Sequence, residues 1–158
     1  MCIRDRVNAT SDYGGAKRSE EMEACLEELR ALHEEHPVEK EVREKLAMGL
    51  VNATSDYGKA ERFEEMEACL EELRALHIKH PEKEVREKLA SGLVNATSHY
   101  GEAKRFEEME ACLEELRALH IKHPKKEVRE KLASGLVNAT NYYGEAKRLK
   151  RWRLAWKN

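Results

Sequence analysis

Aromatic residues are few in this chain, 6 % of 158, and proline appears only three times. Charged residues make up 38 %. That balance fits long solvated helices rather than a sheet protein. No apolar run reaches the length that spans a membrane. Net charge is only −2, so nothing in the bulk charge draws the chain to nucleic acid or to anionic lipid. No phosphate loop, dinucleotide fingerprint or nucleophile motif is present, and the sequence calls for no cofactor and no metal. At this length a single domain is the ordinary expectation.

What the chain does have is repetition. Three near-copies of one segment occupy residues 7–50, 51–93 and 94–136, and a partial fourth occupies 137–147. The second and third copies differ only at Asp56/His99, Lys59/Glu102, Glu61/Lys104 and Glu82/Lys125. A period of about 43 residues means stacked units, none of which can bury its apolar face alone. It also weighs against an enzyme, because chemistry needs a unique constellation and every candidate side chain here recurs as a ladder.

The two ends break the pattern. Residues 1–6 read MCIRDR, which resembles the in-frame translation of a sequencing-adapter end, and they are expected to contribute neither to the fold nor to targeting. Residues 148–158 read as the run Arg105–Arg117 shifted by one deleted base. On that reading the chain is a fragment of a longer array. Its basic tail, with Trp152 and Trp156, has then not been selected as a membrane or nucleic-acid helix. It still places Leu149, Trp152, Ala155 and Trp156 where the repeat has apolar residues, so a short terminal half-helix is expected to dock there.

Each unit carries two helical stripes. In helix A, Val85, Leu89, Gly92, Leu93, Ala96 and Tyr100 recur at 3.6 residues per turn. Pro81 opens it and Gly101 is expected to end it. Gly92 costs ~1 kcal/mol relative to Ala in mid-helix, which predicts close approach of a neighbouring helix. Helix B is expected from about Ala103 to His123, with Phe106, Met109, Cys112, Leu113, Leu116, Leu119 and His120 inward and a row of glutamates outward. Pro124 closes it. The first unit has one additional residue in its B-to-A turn, which a surface turn tolerates. Cys25, Cys69 and Cys112 share one position. Stacked helices sit ~8–10 Å apart and a disulfide needs Cα atoms within ~7 Å, so these read as core thiols. Unbridged thiols favour a reducing, cytoplasmic setting.

This pattern resembles the tetratricopeptide class of helical repeats. Leu93-Val94-Asn95-Ala96 is similar to that family's Leu-Gly-Asn-Ala run, Gly101 to its inter-helix glycine, Phe106 to the aromatic opening its second helix and Pro124 to its closing proline. The period is longer by about nine residues, and Met109 stands where a small alanine is usual. The resemblance implies an all-α fold, an α-α superhelix of stacked antiparallel helix pairs. It also implies a groove lined by the A helices that holds a peptide or protein, in some members gripping a carboxylate with Lys and Asn. On a helical wheel Asn95 lies about 160° from Leu93, so it is expected on the open face. The candidate peptide-binding rows are Lys45, Lys88 and Lys131; Asn52, Asn95 and Asn138; and a variable row of Asp56, His99 and Tyr142, with Asn8 and Asp12 in the first unit. The alternative is a structural or self-assembling array without a ligand groove. Ile3, Trp152 and Trp156 are then candidates for a homodimer or end-to-end contact.

Other motifs carry less. His-x-x-His occurs at His33/His36, His77/His80 and His120/His123, but zinc wants at least three protein ligands and nothing nearby in sequence completes the set. Asn-Ala-Thr matches a glycosylation sequon four times, each inside an expected helix. The helix B glutamates have nothing around them to raise a pKa for acid–base work.

Overall fold

The computed structural model describes the backbone of residues 19–155 and side chains through residue 148. Six helices and no strand are found among these residues: α1 Ser19–Glu35, α2 Lys40–Lys59, α3 Phe63–Lys79, α4 Lys83–Glu102, α5 Phe106–Lys122 and α6 Lys126–Ala155. α1, α3 and α5 are B helices; α2, α4 and α6 are A helices. The all-helical pattern expected from the two stripes is what is observed.

Each helix is built from local rules. The B helices carry Glu107 and Glu108, or Glu64 and Glu65, in the first turn, and His120 with Lys122, or His77 with Lys79, in the last. Those charges match the helix dipole. The A-to-B turns close as Schellman motifs. Arg105 donates its backbone N–H to Tyr100 O at 2.8 Å, and Lys104 donates to Gly101 O at 3.0 Å. Arg62 and Glu61 repeat the pair onto Tyr57 O and Gly58 O. Such a cap needs a left-handed residue, and Lys104 and Glu61 supply it at φ 60° and 57°. The flanking apolar contact of the motif becomes a cation over a ring: the Arg105 guanidinium lies 5.3 Å from the centre of Tyr100.

Two sequence expectations change here. Gly101 does not end helix A; it is helical and buried, and the left-handed position falls three residues later. Helix B accordingly starts at Phe106 rather than near Ala103. At the C-terminal end α6 runs unbroken for 30 residues through Ala155. Where a turn and a returning half-helix were expected after Gly144, the described backbone continues straight. Tyr143–Arg148 repeats Tyr100–Arg105 residue for residue, so the difference lies in the run after Arg148, which no longer carries the B-helix sequence.

The core lies between the two kinds of helix. α2 packs on α4 and α4 on α6, while α3 and α5 each pack against the A helices before and after them and α1 packs against α2. Met66, Leu70, Leu73, Met109, Leu113 and Leu116 are essentially sealed from solvent. Gly92 meets that layer: a Cβ there would lie 3.0 Å from Leu73 Cδ1 and 3.1 Å from Leu70 Cδ2. Gly135 does the same against Leu116 and Leu113. Close approach is thus what the mid-helix glycine provides. Val38, in the longer first B-to-A turn, stands in solvent.

Candidate functional site

The face expected to bind lies along α2, α4 and α6. Lys45, Lys88, Lys131, Asn52, Asn95 and Asn138 are all half-buried on these three helices. Among the described residues, none makes a hydrogen bond or ion pair with these six side chains. The arginines behave differently. Arg43 binds Glu82 at 2.5 Å and Arg86 binds Glu127 at 3.2 Å, both from buried positions between neighbouring A helices. The row of Lys and Asn is therefore left with donors and acceptors to offer, while the arginines are consumed in holding the units together.

The variable row does not share that face. Asp56 and His99 are buried, at 7 % and 9 % exposure, where an open position was expected. For His99, as for Tyr142, the reason is the helical glycine of the preceding unit. The His99 ring sits against Gly58, and the Tyr142 ring sits against Gly101. Tyr142 also has its hydroxyl 3.0 Å from Ser98 Oγ and donates to Glu102 at 3.3 Å. This row fills the seam between successive A helices. Burial raises the Asp56 carboxyl above its usual range and lowers His99 below its own. Asn8, Asp12, Ile3 and Trp156 lie outside the described residues, as does the side chain of Trp152.

A second set of features escapes the periodicity. Between α3 and α5 lies a cleft of about 430 Å³, and between α1 and α3 one of about 310 Å³. Arg74 spans the first. Its Nε donates to both Glu115 oxygens at 2.9 and 3.0 Å, and its Nη1 to Glu67 and Glu71 at 2.6 Å. Arg30 spans the second in the same way, reaching Glu72. Tyr100 donates to Glu67 at 3.0 Å, and Phe63 stacks on Tyr100 at 5.3 Å. The rims are charged, and most of those charges are paired: Arg74 with Glu67 and Glu115, Arg105 with Glu108, Arg30 with Glu23, and Arg62 with Glu65. The signal for them was present in the recurrence of Arg30, Arg74 and Arg117 with glutamates at fixed offsets, which a periodicity search for apolar residues passes over.

The remaining motifs fall into structural places. Cys69 and Cys112 are buried, and burial pushes their thiols up to about 12, which leaves them unreactive. The sequon threonines Thr54 and Thr97 are sealed inside, donating to Leu50 O and Leu93 O. His77 lies 5.9 Å from His123, ring centre to ring centre, and His33 lies 6.3 Å from His80. Among the described residues no group of three or more His, Cys, Asp or Glu is placed to hold a metal ion. No described helix is long and apolar enough to cross a membrane. No family model matches the chain, and no curated protein or solved structure matches it either.

Proposed function

We propose that the chain is a non-enzymatic binding scaffold, tetratricopeptide-like in its two-helix units, that holds a peptide or protein segment along its A helices. The observation that carries this reading is the row of Lys45, Lys88, Lys131, Asn52, Asn95 and Asn138 on three adjacent helices, which has no hydrogen-bond or ion-pair partner among the described residues. An Asn amide both donates to and accepts from an extended backbone, and a Lys ammonium supplies charge for an acidic group. An extended acidic segment lying across the A helices meets one Asn and one Lys per unit. Stacking with the A helices side by side also suits an α-α superhelix in which they line the inner surface. The core thiols fit a reducing, cytoplasmic setting.

The test is a peptide-library screen with the full chain, followed by titration of the selected peptides. Acidic extended peptides are expected to bind, and replacement of the three asparagines by alanine is expected to weaken them at least tenfold. Binding that survives the loss of both the Asn and the Lys rows would place the ligand elsewhere.

A further inference from the structure

The most exposed large apolar side chains among the described residues stand along one edge of the array, where the B helices turn into the A helices. Val38 is 87 % exposed, Ile78 79 % and Ile121 81 %. Ile78 also walls a groove of about 310 Å³ between α3 and α5. Leu89, Ala118 and Leu119 complete its apolar lining, and the exposed Lys122 lines it as well. Arg74 and Glu115 reach it too, but they are bound to each other. Apolar walls with a few polar groups are the usual composition of a binding cleft. The position of Ile78 is taken on α1 by Glu34, so one unit earlier the same wall is charged.

The first B-to-A turn is the chemical complement of this groove. Pro37 and Val38 form an exposed apolar tip. Exposed Glu34 and Glu35 precede it, and Glu39 follows it. Glu39 meets His36 at 3.2 Å, and Lys40, the one lysine between Glu34 and Glu41, is drawn to Glu44 and Glu84 at 3.4 and 2.9 Å. Glu34 and Glu35 make no ion pair among the described residues. At the groove the sign is reversed. Lys122 in its lining and Lys79 beside Ile78 are exposed and make no ion pair among the described residues either. An apolar tip with free carboxylates thus has its match in an apolar groove with free ammonium groups. Within one chain the two do not meet, since Val38 stands in solvent.

We infer that copies of this chain associate by seating the Pro37–Val38 turn of one copy in the α3–α5 groove of another, with Glu34 and Glu35 facing Lys79 and Lys122. The contact joins two different patches, a protruding valine and an apolar pocket, and is therefore heterologous. Removal of apolar surface from water holds the tip, and the opposite charges select its partner and weaken with salt. The Lys and Asn row lies on the A helices, away from this contact, so association neither uses peptide binding nor depends on it.

Analytical ultracentrifugation of the full chain over a concentration series tests this, with circular dichroism confirming that each variant is folded. The wild-type chain is expected to self-associate reversibly. Val38→Asp changes a residue that stands in solvent, and Ile78→Glu installs the residue that the first unit already carries at that position. Each is expected to weaken association at least tenfold. Mixing the two variants is the decisive step. The Val38→Asp chain keeps its groove and the Ile78→Glu chain keeps its tip, so the mixture is expected to form a one-to-one complex that neither variant forms alone. A chain with Glu34→Lys and Glu35→Lys is expected to associate weakly with itself, and to regain a partner in a chain with Lys79→Glu and Lys122→Glu. A wild-type chain that stays monomeric at every concentration would overturn the proposal and leave the groove to another occupant. Association indifferent to Val38→Asp or to Ile78→Glu, or a mixture of the two variants that stays monomeric, would overturn it as well.

Discussion

The ring of His99 lies against the bare Cα of Gly58, so close that a Cβ on Gly58 would stand 2.2 Å from His99 Cδ2. Tyr142 stands in the same relation to Gly101. These two contacts set how closely successive A helices approach, and they explain why His99 and Tyr142 left the open face. Gly144 has the same place in its unit with nothing against it. Gly58→Ala and Gly101→Ala should therefore destabilise the chain by ~1–3 kcal/mol through overpacking. Gly144→Ala should be neutral or stabilising by up to ~1 kcal/mol, the ordinary helix propensity gain. Urea unfolding of the three variants separates the cases; equal effects at all three would dismiss the packing role.

Lys104 holds a left-handed conformation that L side chains adopt only at a cost of roughly 1–2 kcal/mol. Lys104→Gly should relieve part of that, offset by the freer unfolded chain, for a net gain of ~0.5–1 kcal/mol. Glu61→Gly should behave alike. A loss of stability on either change would mean that the side chain contributes more than the cap conformation costs.

Leu113 is 1 % exposed, and a Cβ at Gly135 would lie 3.2 Å from its Cδ2. Leu113→Ala should cost ~2–5 kcal/mol, and Leu70→Ala a similar amount. A change under about half a kcal/mol, small beside that range, would show the B stripe to be misassigned.

Acidification should loosen the stack in two stages. Burial, then the neighbouring His123, Arg86 and Lys122, holds His77 below the usual histidine range. Burial, then His80, Arg43 and Lys79, does the same for His33. Both are neutral in the folded chain when the unfolded chain begins to take up protons. Their contribution is complete above the ordinary histidine pKa of about 6.5 and falls as pH drops below it. The hydrogen bonds from Arg62 and Arg105 hold Glu65 and Glu108 below the usual carboxylate range, so their contribution is lost only at lower pH. Denaturation midpoints from pH 8 to 3 should show both slopes, and His77→Gln should make the first shallower. An unchanged first slope would remove His77 from the explanation.

Periodicity alone reveals the two helices per unit and most of the core, because burial repeats every 3.6 residues and the repeats vote together. Val85, Leu89, Leu93, Ala96, Met109, Leu113 and Leu116 all lie inside as their spacing implies. Gly101 was harder, since a glycine near a helix end suits a cap as well as a close contact. Nothing in the sequence marks the partner ring of Tyr142, 41 residues away, that decides between them. His99 and Asp56 were misplaced for the same reason: a wheel gives an angle about one axis and cannot show which neighbour stands there. The Lys and Asn rows, expected on the open face, are half-buried, because a wheel also cannot show how far a neighbouring helix overhangs them.

The most direct measurement on the binding face is calorimetric titration of the full chain with an acidic extended peptide from the library, against a variant with Asn52, Asn95 and Asn138 all changed to alanine. These asparagines have no partner among the described residues, so the variant should unfold at the same denaturant concentration as the wild-type chain. Saturable binding by the wild-type chain, weakened at least tenfold in the variant and further by salt, is the predicted result. Equal affinity in both proteins, or no saturable binding of any library peptide, would contradict a ligand groove on the A helices.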